Sequence, residues 1–187
     1  MKDYQIYTLD SAGINQQELI EYVQLSKQKF NHLYRGFEHA TKFYYLYNFY
    51  TIASCNSNVY KLYCEVVRCI RHYFNLYEIP KTNIWMQSWM NIHKQTEVLT
   101  SHSHEYDFHG YISLSNHITD TVFTDGQNGT ELYRVANAPL QLYLGPGRRH
   151  HHVTVGDSFD DERITLGMDL QITDTITDNF SFIPVII

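Results

Sequence analysis

Cysteine is scarce in this sequence. Its 187 residues include three, Cys55, Cys64 and Cys69, with no Cys-x-x-Cys pair. An odd number without that spacing argues against a disulfide framework and fits a reducing cytosol, so the protein reads as cytoplasmic. Long apolar runs are missing too. None reaches the roughly 20 residues that a membrane helix needs, and Met1-Lys2-Asp3-Tyr4 does not open a charged-then-apolar signal peptide. No membrane partner is expected. Positive charge is short, with 14 Lys and Arg against 20 Asp and Glu, a net charge of −6. That balance argues against a nucleic-acid partner, which a basic footprint would announce. Internal repeats, linkers and low-complexity tracts are absent, and the length suits one domain of roughly 100–200 residues. Residues 1–187 are therefore read as one unit, helical to about residue 80 and β-rich from about 81.

What is present is apolar residues and histidine. Hydrophobic residues make up 43% and charged residues 18%, enough to bury a core and too apolar for disorder. The halves differ. Residues 1–90 carry nine Lys and Arg and seven Asp and Glu; residues 91–187 carry five and thirteen. Eight of the eleven histidines lie from His93 onward. An acidic, histidine-rich half points to a metal site more than to a phosphate site.

Two segments have helical periodicity. From Asn15 to Phe30, Leu19, Ile20, Tyr22, Val23 and Phe30 recur near helical spacing, and Asn15 with Glu18 three residues on resembles a capping box. From Ser57 to Tyr77, apolar residues from Val59 to Phe74 recur at three and four, and Pro80 is expected to end the helix. The aromatic stretch Ala40–Ile52 between them is read as packing between helices and sheet, with a ligand pocket as the alternative. From Asn83 the pattern becomes that of strands, expected at 83–92, 109–115, 131–136, 140–144, 152–155 and 163–172. They are separated by Asp125-Gly126, Asn128-Gly129, Asn137-Ala138-Pro139, Gly145-Pro146-Gly147 and Gly156-Asp157. In the last strand Ile164, Leu166, Met168, Leu170 and Ile172 share one face, and Arg163, Thr165, Gly167, Asp169 and Gln171 share the other. Short strands after two helices suggest an α+β fold on an antiparallel sandwich or barrel.

Two clusters can do chemistry. In Ser101-His102-Ser103-His104-Glu105-Tyr106-Asp107-Phe108-His109, His102 and His104 point the same way if the segment is extended, so both rings can reach one ion. The second is Arg148-Arg149-His150-His151-His152, about fifty residues on. Ligands converging from the two with open positions left over suit a catalytic non-haem metal. His93, His109 and His117 read as structural. Trp85 and Trp89 read as core, and Arg148 and Arg149 as solvated turn charges.

Around these clusters run Trp89-Met90-Asn91, then His109-Gly110-Tyr111-Ile112-Ser113-Leu114, then Leu142-Tyr143-Leu144-Gly145-Pro146-Gly147. His151-His152-Val153 follows, and finally Glu162-Arg163-Ile164-Thr165-Leu166-Gly167-Met168-Asp169-Leu170. The ordered series resembles the iron(II)/2-oxoglutarate-dependent oxygenases, above all the small ones of phages and bacteria. Their pattern is a Trp-x-Asn strand, a His-x-His stretch, a Gly-Val-Tyr-Tyr-like strand, a Phe-Pro turn, a distal His-x-Val and an Arg-x-Ser strand. The resemblance spans about Asn15 to Leu170. It implies a double-stranded β-helix (distorted jelly roll) with N-terminal helices packed on one sheet. It also implies Fe(II), 2-oxoglutarate as cosubstrate and O2. The implied reaction is hydroxylation of an unactivated C–H bond of a small molecule or peptide side chain, releasing succinate and CO2.

Carried over by position, the resemblance makes His102, His104 and His151 the catalytic metal ligands. His104 fills the slot where the wider superfamily has Asp or Glu. His151 is the distal ligand because Pro146 and Val153 then fall on the family's Pro and Val; His150 is the alternative if the turn is one residue shorter. Arg163 is the clamp for the far carboxylate of 2-oxoglutarate, where a guanidinium fork suits a bidentate contact. Thr165 adds a hydroxyl to it, and Tyr111 and Tyr143 lie near the cosubstrate. The chain departs from the pattern in having no carboxylate in the second slot. Three His ligands, a carboxylate from Glu105 or Asp107, or loss of iron all remain open. Asp107, Asp169 and Asn91 are candidate acceptors for the ligand rings. Two competing functions stand beside the oxygenase: a cupin-like metalloenzyme that does not use 2-oxoglutarate, and a non-enzymatic jelly-roll binding or structural module.

Overall fold

The computed structural model describes residues 3–9, 13–33, 44–53, 55–80, 83–97, 100–175 and 181–187. The elements in chain order are β1 (Gln5–Thr8), α1 (Gln16–Leu33), α2 (Phe49–Ile52), α3 (Ser57–Leu76), β2 (Ile84–His93), β3 (Phe108–Ser113), β4 (Thr119–Thr124), β5 (Glu131–Ala136), β6 (Gln141–Pro146), β7 (His150–Val155), β8 (Arg163–Ile172) and β9 (Phe182–Val185).

The helices start where the sequence supplies acceptors. Asn15 Oδ1 accepts from the Glu18 amide at 3.1 Å. Asn56 Oδ1 accepts from the Asn58 and Val59 amides at 2.9 and 3.2 Å. Each bond satisfies an amide that has no partner inside the first helical turn. The Asn15 amide also donates to Asn58 Oδ1 at 3.1 Å, tying the two helix starts together. The end of α3 differs from expectation. Glu78 takes a left-handed φ of 52°, and the Ile79 amide donates back to the Phe74 carbonyl at 2.9 Å. The helix is thus closed by its own backbone before Pro80 is reached.

The strands form two antiparallel sheets, ordered β1-β6-β3-β8-β2-β9 and β5-β4-β7. Alternation decides which residues face where. From β8, Ile164, Leu166, Met168 and Leu170 join Leu62, Val66, Ile70 and Phe74 of α3 and Leu19 and Val23 of α1 in one buried core. Fully burying such a side chain is worth roughly 1.5–3 kcal/mol. The residues between them face the small sheet instead. This is the distorted jelly roll expected from the sequence, with helices covering the outer face of the large sheet.

Three strands were not foreseen: β1, β4 and β9. β1 and β9 are four-residue edge strands defined by their partners, and β1 extends the large sheet into the N-terminal part read as helical. Arg149, expected as a solvated turn charge, anchors this edge through a forked contact with Asp3 at 2.8 Å on both nitrogen–oxygen pairs. The aromatic stretch divides. Tyr47, Phe49 and Tyr50 are core, Tyr44 lines a cavity, and 40–43 lie outside the described residues. Trp85 is only partly buried, its indole donating to the Thr173 carbonyl at 3.2 Å.

Asn48 pins α2 to the large sheet. Its amide donates to the Met86 and Ser181 carbonyls at 2.9 and 2.8 Å, and its oxygen caps α2 at the Tyr50 amide at 3.0 Å. Asn48→Ala removes a cap and leaves two buried carbonyls short of a donor. The expected loss is about 2–4 kcal/mol, read as a lower urea midpoint at unchanged slope.

Candidate functional site

The site lies between the two sheets, in a cavity of about 290 Å³. Strand register assembles it. In the β3·β8 pair His109 sits opposite Asp169, Tyr111 opposite Gly167 and Ser113 opposite Thr165. In β2·β8, Trp89 sits opposite Gly167 and Asn91 opposite Thr165. Gly167 makes room for a ring: a Cβ there would meet Trp89 Cε2 at 2.5 Å, so the indole lies across the glycine. The Trp89 Nε1–H donates to Asn91 Oδ1 at 2.9 Å, two residues along the same face.

The His-x-His segment is extended, as convergence requires. His102 and His151 exchange backbone hydrogen bonds at 3.1 and 2.8 Å, and the His104 amide donates to the Gly147 carbonyl at 3.0 Å. His102 and His104 therefore share a face, and β7 turns His151 toward them. Each of His102, His104 and His151 offers a ring nitrogen within 4.8 Å of the others. Of the three consecutive histidines, His151 is the one lining the cavity; His150 and His152, on the other face of β7, do not.

The hydrogen bonds on the far side of the rings define their tautomers. His102 Nδ1 lies 2.9 Å from the Thr100 carbonyl and His151 Nδ1 3.3 Å from the Arg149 carbonyl. His104 Nδ1 lies 3.0 Å from Asp169 Oδ2, and His109 Nδ1 3.0 Å from Asp169 Oδ1. A carbonyl or a carboxylate can only accept, so each Nδ1 carries a proton, and in the neutral ring Nε2 keeps the lone pair. His104 Nε2 is buried without a hydrogen-bond partner. This donor set fits a divalent first-row metal ion.

Electrostatics agree. Burial lowers the pKa of His102, and burial with the neighbouring imidazoles holds His151 well below the ordinary value. Burial and His104 bring His109 down to about 4. Burial alone would raise the Asp169 carboxyl, but the hydrogen bonds from His104 and His109 outweigh it and hold it below its usual range. The directions for His102, His109 and His151 favour neutral rings, the form in which an imidazole binds a metal.

The same cavity reaches Arg163, Thr165, Thr121 and Tyr111. Arg163 is 5% exposed, and no carboxylate among the described residues pairs with it. Its Nε–H reaches Thr119 Oγ1 at 3.4 Å, and burial lowers its pKa. The Tyr111 hydroxyl is buried without a well-formed hydrogen bond. Tyr143 stands one layer back. It does not line the cavity; it stacks on Tyr111 at 5.3 Å between centroids, and its hydroxyl pairs with that of Tyr133 at 2.9 Å.

The carboxylate nearest the histidines is Asp169, not Glu105 or Asp107. Asp107 accepts from the Ile172 amide at 2.7 Å, and Glu105 is exposed at the cavity edge. His109, read as structural, is part of the cluster, its ring stacked on His104 at 3.8 Å. Only the register of His109 with Asp169 reveals that role, and spacing along the chain does not carry it.

No protein-family model matches the chain, and no curated protein matches it in sequence. Solved structures do. A prolyl-4-hydroxylase from Pseudomonas putida aligns over 91% of this chain and 88% of its own, with 10% identity and a TM-score of 0.54. SnoN, a non-haem α-ketoglutarate-dependent epimerase from nogalamycin biosynthesis, aligns over 91% and 79%, with 11% identity and a TM-score of 0.53. An oxidoreductase of the 2OG-Fe(II) oxygenase family from Burkholderia pseudomallei overlaps less. It covers 54% of this chain with 15% identity and a TM-score of 0.44, and the chain spans 50% of its length. At these identities the first two likenesses carry the fold. That fold is the one the sequence resemblance implied.

The depressed histidines give the metal-free protein a pH dependence of definite sign. Between about pH 6.5 and about 4 the unfolded chain protonates His109 while the native chain does not. Stability therefore falls as pH drops through that window, by about 3 kcal/mol for His109 alone. His102 and His151 act in the same direction. The stability that Asp169 contributes is lost only at lower pH, as its carboxylate protonates. Urea unfolding in chelator at pH 7 and pH 5 reads the difference, and His109→Asn should flatten it.

Proposed function

We propose that the chain is a non-haem iron(II)/2-oxoglutarate-dependent oxygenase, hydroxylating an unactivated C–H bond of a small molecule or peptide side chain. One observation carries the reading. A single cavity holds imidazole nitrogens and also a buried guanidinium that has no carboxylate partner among the described residues. A buried unpaired charge costs several kcal/mol, and an anionic ligand relieves that cost.

Iron(II) with bound 2-oxoglutarate and dioxygen supplies the oxidation of the C–H bond, with succinate and carbon dioxide as co-products. The rest is the work of the protein's own side chains. His102, His104 and His151 hold the metal through Nε2. Asp169 fixes the tautomer and orientation of His104, as the Thr100 and Arg149 carbonyls do for His102 and His151. Arg163 and the Thr165 hydroxyl hold the far carboxylate of the cosubstrate, and the Tyr111 hydroxyl adds a third donor. Trp89 and Val153 wall the cavity and exclude water. Three free cysteines suit a reducing compartment such as the cytosol. No described helix is long and apolar enough to cross a membrane.

The test is anaerobic addition of iron(II) and 2-oxoglutarate, watching for the visible metal-to-ligand charge-transfer band. His151→Ala should abolish it. Arg163→Ala should weaken 2-oxoglutarate about a hundredfold, the worth of a forked charge-assisted contact. Asp169→Asn should weaken the metal about 10–100-fold by removing an obligate acceptor. No band and no retained metal would sink the oxygenase and leave a binding module. A band that survives Arg163→Ala unchanged would favour a metalloenzyme of the same fold that does not use this clamp.

A further inference from the structure

The three proposed ligand rings differ in what holds them. His102 and His151 each turn Nδ1 to a backbone carbonyl two residues back, that of Thr100 and that of Arg149. His104 Nδ1 meets a side chain instead, Asp169, sixty-five residues on. A carboxylate on a single Cβ is a loose acceptor, because the last torsion of Asp is broad. His104 does not fix that torsion, since its Nδ1 lies 3.0 Å from both oxygens. His109 does. Its Nδ1 holds Oδ1 at 3.0 Å from the position opposite Asp169 in the β3·β8 ladder, and Oδ2 is left to His104. The His109 ring also stacks on His104 at 3.8 Å, with 15° between the planes. His109 and Asp169 are both buried, so bulk water does not compete for the carboxylate. His109 itself stands outside the ligand group. The ring nitrogens of His102, His104 and His151 lie within 4.8 Å of one another, whereas His109 meets that limit with His104 and Asp169.

We infer that His109 is a positioning residue of the metal site, acting on His104 through Asp169. The inference rests on the proposed function only in taking His104 as a metal ligand. Its physical content is aim and basicity. A charged acceptor makes a stronger hydrogen bond than a neutral carbonyl. A ring that donates to a carboxylate is a more basic ligand through its other nitrogen. The three rings bring no negative charge of their own to an ion, so this outer carboxylate supplies what the ligand set lacks. His109 keeps it turned to His104.

The experiment is zinc titration of the full chain against a chromophoric chelator, without 2-oxoglutarate. His109→Phe keeps a ring and loses the donor. His109→Asn loses the ring and keeps an N–H donor on a side chain of similar reach. His109→Phe should weaken zinc about tenfold, and His109→Asn by less than about threefold. In an Asp169→Asn background, His109→Phe should add less than about twofold, because its route is already cut. Urea unfolding of the metal-free variants reads structural damage separately. A second measurement needs no variant. In the unaltered chain with nitrogen-15 histidine, zinc should shift the Nδ1–H resonance of His109 while its Nε2 keeps the position of an unligated ring. Unchanged zinc affinity in both variants overturns the inference and leaves the metal site standing, even where His109→Phe lowers the urea midpoint. An equal loss in both variants overturns it, as does a loss of undiminished size in the Asp169→Asn background. A ligand shift at His109 Nε2 overturns it too, by making His109 a ligand. No zinc bound by the unaltered chain removes the metal site itself, and with it both the proposed function and this inference.

Discussion

Asp169 is a buried carboxylate with two imidazole partners on different segments, and both must be in place for its charge to be tolerable. Removing an ion from water costs several kcal/mol even after relaxation. His109 meets it from the neighbouring strand β3, and His104 meets it from the extended segment clamped on β7. One interaction thus locks the large sheet, the small sheet and the tautomers of two rings. The apolar alternation of β8 enforces the same register. A slip of one residue would turn Asp169, Arg163 and Thr165 into the helix-packed core and push Leu166 and Met168 into the cavity. The hydrophobic effect that sets the strand and the electrostatics that set the site therefore select the same pairing.

The helices make this division of faces possible. They take up the outer face of the large sheet, so its inner face is free to carry polar groups. The inner space is not uniformly polar. Tyr111, Phe123, Val135 and Tyr143 form a separate small apolar cluster, with Tyr4 and Tyr133 packed against it. Tyr143 belongs to this backing layer. It stacks on the ring of Tyr111, which lines the cavity, so in the proposed function its effect on a cosubstrate passes through Tyr111.

What was legible in the sequence follows the strength of the local signal. β8 and β5 were read to the residue because each is bounded by turn formers, and β8 also alternates strictly. β4 was missed although Thr119, Thr121 and Thr124 are β-branched, since its polar face resembles the loops that flank it. β1 and β9 are four residues long and exist because β6 and β2 offer edges to pair with, which is information held elsewhere in the chain. At the cavity, His102, His104, His151, Arg163 and Thr165 were singled out by ordered motifs, and the fold brings all five into one lining. His109 was not, because its meaning depends on Asp169 sixty residues away. Among the candidate acceptors, Asn91 turned out to hold Trp89 and Asp107 to hold the backbone of β8. A short polar side chain can serve many partners, and sequence alone does not rank them.

The replacement of a carboxylate by His104 has an electrostatic consequence for the proposed chemistry. Three neutral imidazoles leave the whole charge of a divalent ion uncompensated by the protein atoms that touch it. The balancing anion, Asp169, sits one ring further out, where its attraction for the ion is weaker by distance alone. An anionic cosubstrate would then meet a more positive ion than it meets at a site with a directly bound carboxylate. Arg163, with no counter-ion among the described residues, adds a second positive centre in the same cavity. In the proposed function, a small dianion that reaches both centres completes the charge of this cavity. Under that reading, a histidine in the slot where the resembled family has a carboxylate, and an arginine with no carboxylate partner among the described residues, serve the same anion.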